Sequence, residues 1–436
     1  TTSSSNAHGW RIDFKSQAGV ANSNLTDNIR FFLGDNFESA STLFMLMQNH
    51  RVGIDLIDAS GNRFDIDDCI GFPGFDEQLV PQPKNGVPAF GLVRDLLSFP
   101  EKFLFVALTG LKKKVGELAP GGFAIHFSFK RVAFALPELS QSSLILHAVP
   151  AVNLFAQSAE PVELDHQTTD YLVLPTGMAR QHHQVFSIES VIGLRQGQIE
   201  QRTYVPFELL EFGARSGQPT YRSTIKPAIG GDWVETYLSV VYEPGDVPVA
   251  ETLSIELLCT NRWLAEELKL GEVCEPTNTS PERCAFRNIT PVRGAVDAPT
   301  GEDLLWACIS HTALNFMSLG DSKIIKSLLS LYNNFRTGNQ SNRAINRRQI
   351  EGILSLEITP QNRLYRGSVI RGQAIAMVCN QSNWPSIGAM YLWGCVLSRF
   401  FATYATINMY TIFQMRDTDT GIEFQWPPML GNKPLM

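Results

Sequence analysis

Short runs in which apolar and polar residues alternate open the chain. Trp10, Ile12 and Phe14 alternate with charged neighbours in WRIDFKS, and NIRFFLGD follows as a second run. A period of two predicts half-buried strands. Ala40–Met47 breaks the alternation with Leu43, Phe44, Met45, Leu46 and Met47 in succession, which suits one short helix. Strand-length runs resume in RVGIDLIDA, KFLFVALTGL and FAIHFSFKRVAF, separated by Gly, Pro, Asn and Asp. Residues 1–139 therefore read as a first β-rich domain behind a polar tail of about ten residues.

The same texture continues through SLILHAVPAVNLFAQSAEPVEL, DYLVLPT, VFSIESVIGL and RTYVPFEL. After a polar stretch, Ser216–Asp232, come two more strand-like runs, WVETYLSVVYEP and ETLSIELLCTN. Leu270–Thr300 is rich in Pro, Thr, Asn and Glu and reads as a long connection. A second β-rich domain over 140–298 follows from this pattern.

From residue 299 the period lengthens. Thr300, with Asp303 three positions on, approximates a capping box, and Leu304, Ala307, Cys308, His311 and Leu314 recur at helical spacing. Gly320 can close that helix and Asp321 can cap the next, SKIIKSLLSLYNNF. NRAINRRQIEGI predicts a further short helix, and LYRGSVIRGQAIAMVC predicts paired strands. Ile387, Met390, Gly394, Leu397, Phe401 and Tyr404 mark one face of a last helix, while Ala389, Leu392, Trp393, Val396 and Phe400 occupy the other. A helix apolar on nearly every side must be covered all round, by a core or by a partner. The expected fold is α+β and multi-domain: two β-rich, sandwich-like domains followed by a mixed helix-and-strand domain over 299–436.

Composition narrows the function classes. Charged residues make up 18% of the 436 and aromatic residues 10%, against about 25% charged in an ordinary soluble domain. A charge-poor, aromatic-rich surface suits a subunit of an assembly. The net charge of −7 argues against a general electrostatic grip on nucleic acid or anionic lipid. The one basic cluster, Lys112-Lys113-Lys114, reads as a solvated loop. The first residues lack the basic and apolar regions of a secretory signal, and the longest apolar stretch, within Ile387–Phe401, is too short and interrupted to cross a bilayer. An odd count of seven cysteines, with no CxxC pair, suits a reducing cytosol.

Marked enzyme motifs are absent from the sequence: neither a phosphate-binding G-x-x-x-x-G-K-[ST] nor G-x-G-x-x-G, a G-x-S-x-G elbow or an H-E-x-x-H helix occurs. Three weaker constellations remain. Asp65-Ile66-Asp67-Asp68 offers oxygens but lacks the glycine and terminal glutamate of a calcium loop. His166, His182 and His183 are imidazole donors, but neighbours on a strand face opposite ways. Cys308 and His311 lie one helical turn apart without a second pair at metal-ligand spacing. Cys259, Cys274 and Cys284 read as buried free thiols. Trp393, Phe400, Phe401 and Tyr404 are the residue types of interface hot spots and equally of a core. These residues describe a protein that binds or builds; catalytic, cofactor and metal sites are expected to be none.

Several blocks together resemble the TssF (VasA/ImpG) family of the bacterial type VI secretion system. They are Pro150–Phe155 with Ala159-Glu160-Pro161, Leu258–Arg262, Leu305–Leu319, Arg371-Gly372, Gly394–Ala402 through Ile407-Asn408, and Trp426-Pro427-Pro428 through Pro434-Leu435. The resemblance is specific over about 140–436 and looser before it, and family members carry a further helical N-terminal region. It implies a structural subunit without chemistry: a wedge component of a cytoplasmic baseplate at the inner face of the inner membrane. The implied partners are TssG, a second TssF copy, TssK, TssE and the VgrG spike hub, with no nucleic acid and only indirect membrane contact. The platform so formed would nucleate tube and sheath. Under this reading helix 386–404 faces a partner, with Trp393, Phe400, Phe401 and Tyr404 as anchors and Arg399 hydrogen-bonding across the contact. Competing classes are another contractile phage-tail-like baseplate subunit and a β-rich carbohydrate-binding module.

Overall fold

The computed structural model describes residues 8–14, 26–34, 36–75, 88–115, 122–132, 134–195, 201–207, 219–231, 233–241, 249–277, 280, 284–296, 320–333, 340–365 and 367–431. The fold is α+β, and the chain divides into two compact units. One comprises Thr1–Ala151, Ala313–Asn333 and Arg343–Met436; the other comprises Val152–Thr312 and Asn334–Asn342. The three consecutive domains expected from the sequence are thus regrouped, because the first and last parts of the chain build one core together.

The chain enters through β1 (His8–Phe14) and β2 (Asn28–Leu33), then α1 (Phe37–Asn49), whose N-cap Asn36 accepts from Ser39 N at 2.8 Å. β3 (Arg51–Asp58), β4 (Arg63–Asp65) and β5 (Ile70–Gly71) follow. Next comes α2 (Pro88–Ser98), which buries Ala89, Leu92, Val93, Leu96 and Leu97 on one stripe. The sequence reading missed this helix although the i, i+3, i+4 spacing was present. A tight turn, Pro100–Phe103, leads into β6 (Phe105–Thr109). Lys102 in that turn is fully buried, and its Nζ lies 2.5 Å from Asp95 Oδ2 on α2. Asp95 also pairs with Arg94 at 2.8 Å, but removing Asp95 would strand the buried ammonium of Lys102, so the pair fixes the turn against the helix.

Lys112–Lys114 lie in a one-turn helix, α3 (Leu111–Val115), and not in a loop. The reason is that Leu111 and Val115, four apart, are both buried. After β7 (Phe123–Phe129) and β8 (Leu144–Leu146), two four-stranded sheets are complete, in the orders β1-β7-β3-β4 and β5-β6-β2-β8.

The second unit is built from β9 (Phe155–Ser158), β10 (Val162–Leu164), β11 (Tyr171–Leu172), β12 (Gln184–Leu194), β13 (Gln201–Pro206), β14 (Thr220–Pro227), β15 (Val234–Val241) and β16 (Glu251–Thr260). They form one sheet in the order β10-β16-β12-β13-β14-β15-β11, with β9 beside β16. Its ends are stitched together: Glu160 N donates to Leu174 O at 2.7 Å and Thr176 N to Ser158 O at 3.0 Å. The sheet thereby curls around a core of Val191, Tyr204, Tyr221, Leu238, Leu253, Ile255 and Leu257. β14 runs through the stretch read as polar, because Thr220, Tyr221, Thr224 and Ile225 supply β-favouring side chains along one antiparallel partner.

The chain then returns to the first unit with α4 (Ser322–Leu331), capped by Asp321, which accepts from Lys323 N at 2.8 Å. α5 (Gln340–Glu351) follows, then the hairpin of β17 (Ile353–Tyr365) and β18 (Ser368–Cys379). α6 (Ile387–Ala402) comes next, and β19 (Met409–Asp417), β20 (Glu423–Gln425) and β21 (Met429–Leu430) complete the chain. β19 lies parallel to β18, so α6 is the crossover between them. Asp417, at the end of β19, is fully buried and accepts from Gln381 N at 2.8 Å and from Thr420 N at 2.7 Å. Burial alone would raise its carboxyl; the hydrogen bonds from Thr420 and Gln381 outweigh that and hold it below the ordinary carboxylate range.

Where α6 meets α1 the two backbones touch. A Cβ on Gly388 would lie 2.3 Å from Thr42 N and 2.4 Å from Ser41 O. Gly388→Ala is expected to destabilise the chain by about 1–3 kcal/mol, read as a fall in melting temperature. An unchanged melting temperature would contradict this close crossing.

Candidate protein-interaction site

The residues singled out on the last helix sit on α6, and the sequence explains why a helix forms there. Ser386 caps it, accepting from Ala389 N at 3.0 Å, and no β-branched run or proline interrupts Ile387–Ala402. The cap hydroxyl also lies 2.9 Å from Ser41 Oγ of α1, so the two helices are tied by a buried polar contact as well as by Gly388. Of its 16 residues, only Ile387 and Arg399 escape full burial.

The structure decides between the two covers that an all-round apolar helix can have. Trp393 packs edge-on against Trp384, with ring centroids 5.8 Å apart. Phe400 meets Phe90 of α2 at 5.6 Å and Tyr404 at 5.3 Å, and Phe401 meets Phe413 of β19 at 5.5 Å. Trp393 is 3% exposed, and Phe400 and Phe401 are wholly buried. The anchor role expected of these three rings is therefore corrected: elements of their own unit cover them, leaving no ring face for a partner. Tyr404 is half-buried among Phe90 and Phe400, and burial pushes its phenol far above the usual range.

Arg399 is the one charged residue of the helix, and it turns inward along its own element. Its Nη1 donates to Cys395 O at 2.9 Å, and the guanidinium lies 4.1 Å from the Phe75 ring centroid. A cation over an aromatic face is attracted by the ring quadrupole. Both of these contacts lie within the unit.

Around Cys395 the packing becomes polar in a small volume. Its Sγ lies 3.2 Å from Gln48 Oε1, to which it donates, and accepts from Trp426 Nε1 at 3.2 Å. Trp426 itself occupies the space a side chain on Gly394 would need, with a ring atom 2.0 Å from that Cβ position. Burial raises the Cys395 thiol to about 11 and the Cys379 thiol to about 12, with Asp417 adding to the latter. Cys259 rises to about 11 for the same first reason. Such thiols stay protonated near neutral pH and are inert.

The remaining constellations resolve separately. Asp67 pairs with Arg51 at 2.5 Å and Asp68 with Lys114 at 2.7 Å, so these carboxylates are taken up in ion pairs, one of them with the basic cluster. His166 Nε2 lies 2.8 Å from Val249 O, while His183 Nε2 lies 3.1 Å from Asn261 Nδ2; the imidazoles go to different partners. Among the described residues no group of three or more His, Cys, Asp or Glu converges as metal ligands. The helix expected from Thr300 to Leu319, with Cys308 and His311, lies outside the described residues. Cys274 and Cys284, expected to be buried, are exposed. The Asn288 side chain accepts from Gly271 N at 2.9 Å and from Val273 N at 3.1 Å.

Among the described residues the side chains singled out on α6 pack within their own unit. A sequence model of the family described as Type VI secretion system, TssF, matches residues 1–433, and the chain belongs to that family. It is 24% identical over 396 residues to type VI secretion system component TssF1 of Pseudomonas aeruginosa, an alignment covering 83% of this chain. The chain spans 62% of the length of that relative. Among solved structures, its fold resembles a chain of the type VI secretion system TssK-TssF-TssG baseplate subcomplex determined by cryo-electron microscopy. The TM-score is 0.79 at 22% identity, covering 100% of this chain and 81% of the other. A chain of the baseplate complex from the type VI secretion system matches with a TM-score of 0.59 at 21% identity, covering 91% of this chain and 68% of the other.

Two measurements test the packing. Alkylation of the native chain at about pH 8 should label Cys274 and Cys284, and spare Cys69, Cys259, Cys379 and Cys395 until denaturant is added. Native-state labelling of Cys395 would contradict its enclosure. Phe400→Ala should cost about 3–5 kcal/mol of unfolding free energy; a near-neutral result would return the ring to the surface.

Proposed function

We propose that the chain is a structural wedge component of a type VI secretion baseplate, acting by contact and without catalysis. The observation that supports this most is the family match over residues 1–433, together with a fold shared along the whole chain with a subunit of a TssK-TssF-TssG assembly. In this role the chain pairs with TssG and a second copy of itself, meets TssK, and stands with TssE around the VgrG spike hub. It works in the cytoplasm at the inner face of the inner membrane; none of the helices in the described residues is long and apolar enough to cross a bilayer. A wedge must hold its shape while tube and sheath are templated, and rearrange when the machine fires. Rigid bodies with closed cores suit that task, since packed interfaces switch between discrete arrangements.

Native mass spectrometry of the protein co-expressed with TssG and TssK tests the proposal. The expected result is a stable complex holding two copies of the chain per TssG. A monomer that ignores both partners would overturn it, and glycan binding by that monomer would favour the carbohydrate-module alternative.

A further inference from the structure

Beyond α6, the first unit carries an apolar surface that its own core does not reach. β17 and β18 pair from Ile353↔Cys379 out to Tyr365↔Ser368, but β19 joins β18 only from Arg371 inward. The last three pairs therefore stand beyond the sheet as a two-stranded tip about 10 Å long. Side chains alternate along a strand, so Leu356, Ile358 and Leu364 share a face, as do Val369, Ile375 and Met377 across from them. At the inner end this face is core: Leu356 is 6% exposed, and Ile375 and Met377 are 1%. At the outer end Leu364 and Val369, directly opposite each other, are 71% and 69% exposed. The core-facing side of the sheet thus runs out into solvent.

Two features say what would cover it. The first is charge. No Asp or Glu falls between Glu357 and Asp417, a stretch carrying five arginines in a chain of net charge −7. Of these, Arg363 and Arg371 are exposed on the tip and its base, and neither has an ion-pair or hydrogen-bond partner among the described residues. The second is the edge. β17 is the terminal strand of its sheet, and it contains Pro360, which a sheet tolerates where the missing N–H would face an open edge. Residues 362 and 364 share the register of Pro360 and turn their backbone groups the same outward way.

We infer that the 362–371 tip docks an acidic, extended segment of a partner subunit, which adds as a strand to the outer edge of β17 and covers Leu364 and Val369. This is strand addition, in which main-chain hydrogen bonds bind and side chains specify. Arg363 points to the face opposite Leu364, and Arg371 to the same face as Val369. Carboxylates on alternate sides of the added strand therefore meet Arg363 directly and reach across β17 to Arg371, and the forked guanidinium groups suit bidentate pairing. A second copy joined tip to tip would set four of these arginines together, which like-charge repulsion disfavours. A second copy joined by any other surface would make a heterologous contact that need not close. The inference rests on the wedge reading, since it takes the partner from the same assembly.

The test uses the whole protein co-expressed with TssG and TssK, with a photo-crosslinking residue in place of Val369. The expected adduct is with a Glu- or Asp-rich peptide of TssG or TssK. In parallel, Arg363→Glu/Arg371→Glu and Leu364→Ser/Val369→Ser should each weaken that partner's binding by about tenfold or more. Their melting temperatures should stay at the parent value, because the tip lies outside the core. An assembled complex with no adduct, or with one to a second copy or to lipid, would overturn the inference and leave the wedge reading standing. So would variants that assemble with parental affinity. Failure of the parent chain to bind either protein would overturn both.

Discussion

A helix with apolar residues on every side cannot lie on a surface, and α6 is such a helix. Its 16 residues include Trp393, Phe400 and Phe401, and they are enclosed by α1 and α2 from the beginning of the chain and by β19 and Trp426 from its end. Two glycines make the enclosure close: Gly388 lets the α1 backbone approach, and Gly394 leaves room for the Trp426 ring. Hydrophobic burial is roughly proportional to area removed from water, so this one helix draws together segments some 300 residues apart in sequence. The second unit then reads as an insertion with a core of its own between those segments.

That organisation marks the limit of what the sequence displayed. Strands such as Arg51–Asp58 and Glu251–Thr260 were legible because alternation is a local signal, and α4 was legible because Asp321 announces its start. The all-round apolar character of 387–402 was equally visible, but a pattern along one helix does not identify its cover. Both a core and a partner satisfy the same residues, and only the three-dimensional packing chooses. The exposed thiols failed for a related reason. A cysteine is buried by default, and nothing local in the sequence marks Cys274 and Cys284 as exceptions.

The packing also changes how the family role is understood. Aromatic richness in an assembly subunit suggests sticky surfaces, yet here the densest aromatic network stabilises the interior of one body. Under the proposed reading, contact with partners falls to places where core-like pattern outruns the core, of which the β17–β18 tip is the clearest among the described residues.

The central claim is that α6 makes one cooperative body from the two ends of the chain. Hydrogen exchange followed by mass spectrometry tests it most directly. Amides of α1, β7 and α6 should exchange together, at the slow rate set by global opening of the first unit. If α1 and β7 stayed protected while α6 and β19 exchanged in a separate, faster step, the two ends would be independent domains, and the account would be wrong.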